Sequence, residues 1–109
     1  MIRCNRLFTG PDGQSHVEQI TLPPGALQTA KVVHVEETAA GSTLDWHVAP
    51  CRQYVITLSG TLEFTTRDGE TFILKPGDVF LAEDTTGSGH RWRLIDDQPW
   101  RRMYVELAD

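Results

Sequence analysis

The chain has 109 residues, 39% hydrophobic and 23% charged, which suits one globular domain and excludes a disordered or fibrous protein. Its formal net charge is −5, so it lacks the basic surface that phosphate recognition needs, and nucleic acid is not an expected partner. No apolar stretch has the length to cross a bilayer, and Met-Ile-Arg-Cys-Asn-Arg at the start is not a signal peptide. A cytoplasmic location, no membrane partner and two reduced thiols, Cys4 and Cys51, are the expectations.

In chain order the segments read as all-β, with turn residues punctuating short β-rich runs. Residues 1–30 read as an extended N-terminal arm with the first strands, Ile20 and Leu22 on one side and Thr21 on the other. His34 lies between Val33 and Val35 and reads as a plain strand residue. Asp45 and His47 share a strand face by alternation, with Trp46 opposite. From Gln53 onward one phase carries Val55, Thr57 and Ser59, and the other carries Tyr54, Ile56 and Leu58. A strand apolar on both faces is covered on both faces, which predicts a homodimer or a cover from the arm.

Asp68-Gly69, between Thr61–Thr66 and Thr71–Leu74, is a hairpin signal because both turn positions accept positive φ. Pro76-Gly77-Asp78 marks the next turn. The loop from Asp84 to Gly89 lacks a helix N-terminus and a phosphate-binding lysine, so it reads as a lid or as a turn stiffened by Asp84. After it, His90, Trp92 and Leu94 share an inward face against Arg91 and Arg93. At the end, Met103, Val105 and Leu107 likewise oppose Tyr104 and Glu106.

Gly41, His47, Gln53 and Gly60 fall on the spacing GxxxxxHxHxxxExxxxxxG, which resembles the first motif of the cupins. Ala49 stands at the second histidine and Gln53 at the glutamate. A second cupin motif follows in altered form: Lys75-Pro76-Gly77-Asp78 opens it, Glu83 and Thr85 replace its proline and glycine, and His90 arrives two residues late. Three blocks are similar to a group of small bacterial cupins with TGxDGxSH, WHxAPxRQ and LAEDTTGxGH. Here they are Thr9–His16, Trp46–Gln53 and Leu81–His90. The resemblance implies a single-domain jelly-roll barrel, a double-stranded β-helix, over residues 31–109, with the arm before it.

In cupins the motif histidines and glutamate hold a metal inside the barrel. Carried over, the candidate ligands are His47, His90, Gln53 and Asp45, for a divalent transition metal such as iron, manganese, zinc or nickel. Two histidines with Asp45 would make a facial triad. Glutamine in place of glutamate removes charge that offsets a divalent cation, so a weak or absent metal is equally an expectation, and no cofactor is certain.

Without metal, His47 or His90 would serve as general acid or base, with Asp45 setting the tautomer and Gln53 and Trp92 contacting ligand. The expected partner is a small organic molecule, and isomerase, epimerase or cyclase chemistry suits these groups. The alternatives are a metal-dependent dioxygenase or isomerase, and a binding module without turnover. His16 reaches the barrel mouth only if the arm folds back.

Overall fold

The computed structural model describes residues 1–108. The described residues form ten strands and no helix: β1 Ile2–Thr9, β2 Ser15–Leu22, β3 Ala30–Thr38, β4 Thr43–His47, β5 Gln53–Ser59, β6 Leu62–Thr66, β7 Thr71–Leu74, β8 Val79–Glu83, β9 His90–Leu94 and β10 Trp100–Leu107. None of it is a helix long and apolar enough to cross a membrane. A six-stranded sheet in the order β2-β1-β8-β5-β10-β3 faces a four-stranded sheet in the order β4-β9-β6-β7, the jelly-roll arrangement.

Local sequence accounts for the turns that shape the barrel. Asp68-Gly69 closes the β6–β7 hairpin: Gly69 takes φ 88°, and Thr65 pairs with Thr71 across it. The Asp68 carboxylate accepts the Glu70 amide at 3.2 Å and the Thr66 hydroxyl, so the turn is tied from inside.

Between the sheets lie Leu7, Leu62, Phe64 and Leu74, each at most 1% exposed. Phe64 is the centre, with the rings of Phe72 and Phe80 at 5.0 and 5.1 Å. Burying each such side chain contributes roughly 1.5–3 kcal/mol, which is what closes the two sheets on one another.

The segment expected as an arm is built into the barrel instead. β1 and β2 form a hairpin, and β1 runs parallel to β8 with Cys4 opposite Val79 and Leu7 opposite Ala82. Leu7 is fully buried and belongs to the main core, so the barrel does not begin at residue 31. The alternation of Ile20 and Leu22 in β2 was visible; the pairing of β1 with distant β8 was not. Cys4, buried under β2, has its thiol pushed up to about 11 by desolvation.

β10 faces the other way from the expectation. Trp100, Arg102, Tyr104 and Glu106 line the barrel interior, while Val105 and Leu107 join Cys4, Leu81 and Tyr54 on the outer face of the six-stranded sheet. An interior that holds a cavity takes the polar phase of a strand. The outer face, which continues through Ile20, Leu22 and Val79, takes the apolar one.

Candidate active site

A cavity of about 510 Å³ occupies the barrel interior, lined on one side by His47, His90 and Trp92 and on the other by Gln53, Trp100 and Arg102. The four-stranded sheet brings the histidines together: His47 on β4 pairs with His90 on β9, and their rings stand 4.3 Å apart at 61°. His90 is buried and His47 half-buried. His47, His90, Gln53 and Trp92 are thus where motif spacing and alternation predicted them.

Asp45 is not. Leu44 pairs with Trp92 and His47 with His90, so three steps on β4 match two on β9. That bulge breaks the alternation and puts Leu44, instead of Asp45, on the face of His47. The Asp45 carboxylate stays exposed and accepts the Trp46 amide at 2.9 Å. Only its backbone carbonyl serves the site, accepting Nδ1–H of His47 at 2.8 Å. Asp45 is therefore no candidate for a side-chain ligand or a side-chain orienting group. Trp46 packs outside, as its phase predicted, beneath the guanidinium groups of Arg67 and Arg91 at 4.0 and 5.0 Å.

The carboxylate that serves the site is Asp84. Fully buried, its Oδ2 accepts Nδ1–H of His90 at 2.5 Å and the Ser15 hydroxyl at 2.6 Å. Asp84 caps no turn, as its loop position had suggested; it orients an imidazole. With both Nδ1 atoms engaged, each ring leaves Nε2 for the cavity. Desolvation pushes the pKa of His47 down, His90 beside it adds to that, and the Asp45 carbonyl opposes it.

The loop after β8 is a strut, not a lid. Ser88 N–H bonds Gly13 O at 2.9 Å, the Thr9 hydroxyl bonds Thr86 O at 2.9 Å, and Ala49 N–H bonds Asp84 O at 3.0 Å. Gly89 has φ +76°, and a Cβ there would meet the His47 carbonyl oxygen at 2.2 Å. Only glycine lets this loop press against β4.

The three sequence blocks therefore interlock. Ser15 of the first braces Asp84 of the third, which orients His90, which meets His47 of the second.

His16 lies outside the barrel mouth. Its Nε2 is 2.9 Å from Asp12, and its Nδ1 is 3.3 Å from both Asp68 and Glu70. Ligand atoms of His16, Asp68 and Glu70 gather within 4.8 Å of one another, the one such group among the described residues. The cluster is exposed and joins the turn after β1 to the turn after β6. Its hydrogen bonds, that to Asp12 first, raise the pKa of His16.

His34 has more company than a plain strand residue. It stacks on Tyr104 at 4.8 Å and stands between Glu36 at 3.0 Å and Glu106 at 3.5 Å, where all four line the cavity.

Gln53 is buried with its Oε1 3.6 Å from Cys51 Sγ. Around His47 and His90 the metal donors are their two imidazole Nε2 atoms and this neutral amide oxygen. The carboxylates of Glu36 and Glu106, also in the lining, are paired with His34 and form no ligand group with the two histidines among the described residues. A carboxylate bonded to the far nitrogen of a histidine, as Asp84 is to His90, is the support metal-bound imidazoles receive. The set fits a cation held mainly by two histidines, and does not fit a triad that includes a carboxylate.

Sequence reasoning missed Asp84, Ser15, Arg102 and Tyr104. Arg102 and Tyr104 were legible as one phase of β10, but alternation does not say which phase is inside.

The sequence profile of the cupin domain matches residues 31–105. The chain is 34% identical over 77 residues to the "cupin-domain-containing oxidoreductase srdB" of Neurospora crassa, covering 71% of this chain and 38% of that protein. It spans about two fifths of the length of the curated relatives it matches. Among solved structures, a DUF861 family protein of Thermotoga maritima aligns with TM-score 0.57 and 26% identity, over 68% of this chain and 77% of that one. The cupin domain of Schizosaccharomyces pombe Cnp3 aligns with TM-score 0.59 over all of this chain and 89% of its own, at 17% identity, a likeness of fold alone.

Proposed function

The chain belongs to the cupin domain family, and from that premise we propose that it binds a small organic molecule in its barrel and acts on it by proton transfer. One observation carries this reading: two imidazoles 4.3 Å apart in a cavity, one of them oriented by a fully buried carboxylate. His47, whose pKa is lowered, is neutral at neutral pH and can take a proton at Nε2. His90, held by Asp84 in one orientation, stands where it can give or receive the second proton of an isomerisation, epimerisation or ring closure.

The test is exchange. Carbonyl compounds incubated with the protein in D2O should gain deuterium at the carbon beside the carbonyl, and His47→Gln and His90→Gln should abolish it. Ligand binding that survives in both variants while no exchange occurs in the native protein would leave a binding module.

A second reading has its own support, in the Asp84–His90 bond and in the oxidoreductase name of a relative. A divalent transition metal would be held by His47, His90 and Gln53, and when bound would supply Lewis acidity or redox chemistry. Elemental analysis of tag-free protein separates the two: near-stoichiometric metal favours this reading, and occupancy below about a tenth removes it.

We also propose that two copies pair through the outer face of the six-stranded sheet. Val33, Val35 and Leu58 are more than half exposed there, beside the apolar cluster of Tyr54, Leu81 and Val105. Six strands span on the order of 24 Å, a face of the size that a stable interface of roughly 800 Å² per partner needs. Light scattering should give a dimer, and Val33→Glu with Val35→Glu should give a monomer.

A further inference from the structure

Arg102 is 8% exposed, lines the cavity and has no carboxylate within 4.0 Å among the described residues. Its partners are all neutral. Nε donates to the Tyr104 hydroxyl at 3.1 Å, and one Nη donates to the Thr38 hydroxyl at 2.6 Å and the Trp100 carbonyl at 3.1 Å. The other fork nitrogen has no hydrogen-bond partner among the described residues. The guanidinium lies over the Trp100 ring at 4.0 Å and near that of Tyr104 at 5.5 Å.

No other arginine is both buried and without a carboxylate: Arg3, Arg67 and Arg91 have no ion pair among the described residues but are exposed to solvent. Arg6, Arg52, Arg93 and Arg101 are each more exposed than Arg102, and each has a glutamate. A guanidinium is charged at every relevant pH, and burying it without a counterion is costly. The acids nearest in the cavity lining, Glu36 and Glu106, are both turned to His34. What remains is a fixed, oriented cation facing a cavity that Phe64, Trp92 and Trp100 wall on its apolar side.

We propose that Arg102 receives the carboxylate of the ligand, so that the molecule bound in the cavity is a small monocarboxylate with an apolar or aromatic body. The planar fork matches a carboxylate, and charge-assisted bonds are the strong ones. The body lies along Trp100 and Trp92, whose rings meet at 5.0 Å. Phe64 bridges that wall to the imidazoles, its ring 6.3 Å from Trp100 and 5.7 Å from His90. A carboxylate at Arg102 thus orients the rest of the ligand toward His47 and His90. A single charge suits the site, since Glu36 and Glu106 at its edge oppose a dianion. This rests on the reading of the cavity as a ligand site and adds the class of ligand.

The probes are benzoate, benzyl alcohol and phenyl phosphate, followed by the fluorescence of Trp92 and Trp100 and by thermal shift. Benzoate should bind the native protein at least about tenfold more tightly than benzyl alcohol, and phenyl phosphate should bind no better than the alcohol. Arg102→Met should erase the preference for benzoate while still binding the alcohol, and Arg102→Lys should restore only part of it.

Should Arg102→Met fail to fold, the Nε signal of Arg102 in the native protein must still shift with benzoate and not with the alcohol. Equal binding of benzoate and alcohol overturns the role of Arg102 and leaves the ligand site standing. Preference for the phosphate overturns the ligand class. No binding of any probe at the two tryptophans overturns both.

Discussion

Ser15 and His16 are neighbours on β2 and feed two histidine–carboxylate clusters of opposite design. Ser15 points inward and shares Asp84 with His90, all three buried. His16 points outward to Asp12, Asp68 and Glu70 in solvent. The outer cluster gathers more charge and the inner one does more with it. In water, three carboxylates around one imidazole are screened and act as a clasp between turns. Away from water, one carboxylate fixes which nitrogen of His90 faces the cavity, because a buried donor left unmet is costly.

Removing a carboxylate from each cluster is the strongest way to break this contrast. Asp84→Ala strands the Ser15 hydroxyl and His90 Nδ1–H in the interior and should cost about 3 kcal/mol of stability, read as a lower urea midpoint. Asp12→Asn should move the midpoint far less, and raised salt should erase that small shift while leaving the loss from Asp84→Ala in place. Equal losses would mean that burial is not what separates the clusters.

Glycines sharpen the same comparison. Gly89→Ala drives a Cβ into the His47 carbonyl from a left-handed backbone, whereas Gly69→Ala, at the turn beside His16, meets nothing within 4 Å. Both carry the backbone cost of roughly 1–2 kcal/mol, and Gly89→Ala should add the displacement of β4 to it. Thermal denaturation of the two variants checks the order, and chemical shifts of His47 show whether its ring has moved.

Smaller, and opposite in sign, are the pH effects. The pKa of His16 is raised by its acidic partners, so its stabilisation is whole below about 6.5 and fades as pH rises through the raised value. The pKa of His47 is lowered by desolvation, so its contribution is whole above about 6.5 and is lost as pH falls toward the lowered value. Histidine titrations by NMR should show the two midpoints on either side of the unfolded value, with only that of His16 moving toward it in salt.

The sequence made the barrel legible where a rule is local. Asp68-Gly69 announces its hairpin, and the alternation around His90 announces which residues of β9 are buried. The spacing of Gly41, His47, Gln53 and Gly60 placed one histidine and the amide in the cavity, because a motif preserves strand lengths and turns together. Asp45 failed because a bulge on β4 cancels alternation, and nothing in Leu44-Asp45-Trp46 marks that extra step. Asp84 failed because it stands in a loop, where alternation gives no direction, and because Ser15, which shares its carboxylate, lies 69 residues away; the place of β1 failed because its partner β8 is distant in the chain. Arg102 failed because the interior of a barrel that holds a cavity reverses the rule that the apolar phase faces in.

The central claim is that His47 and His90 present Nε2 to one cavity. Two-bond nitrogen–proton correlation of the histidine rings, at a pH where both are neutral, reads the tautomer directly. Protons on Nδ1 of both rings, with both Nε2 signals shifting together when benzyl alcohol enters, is the predicted result. A proton on Nε2 of His90, or Nε2 signals indifferent to the alcohol, would contradict the account.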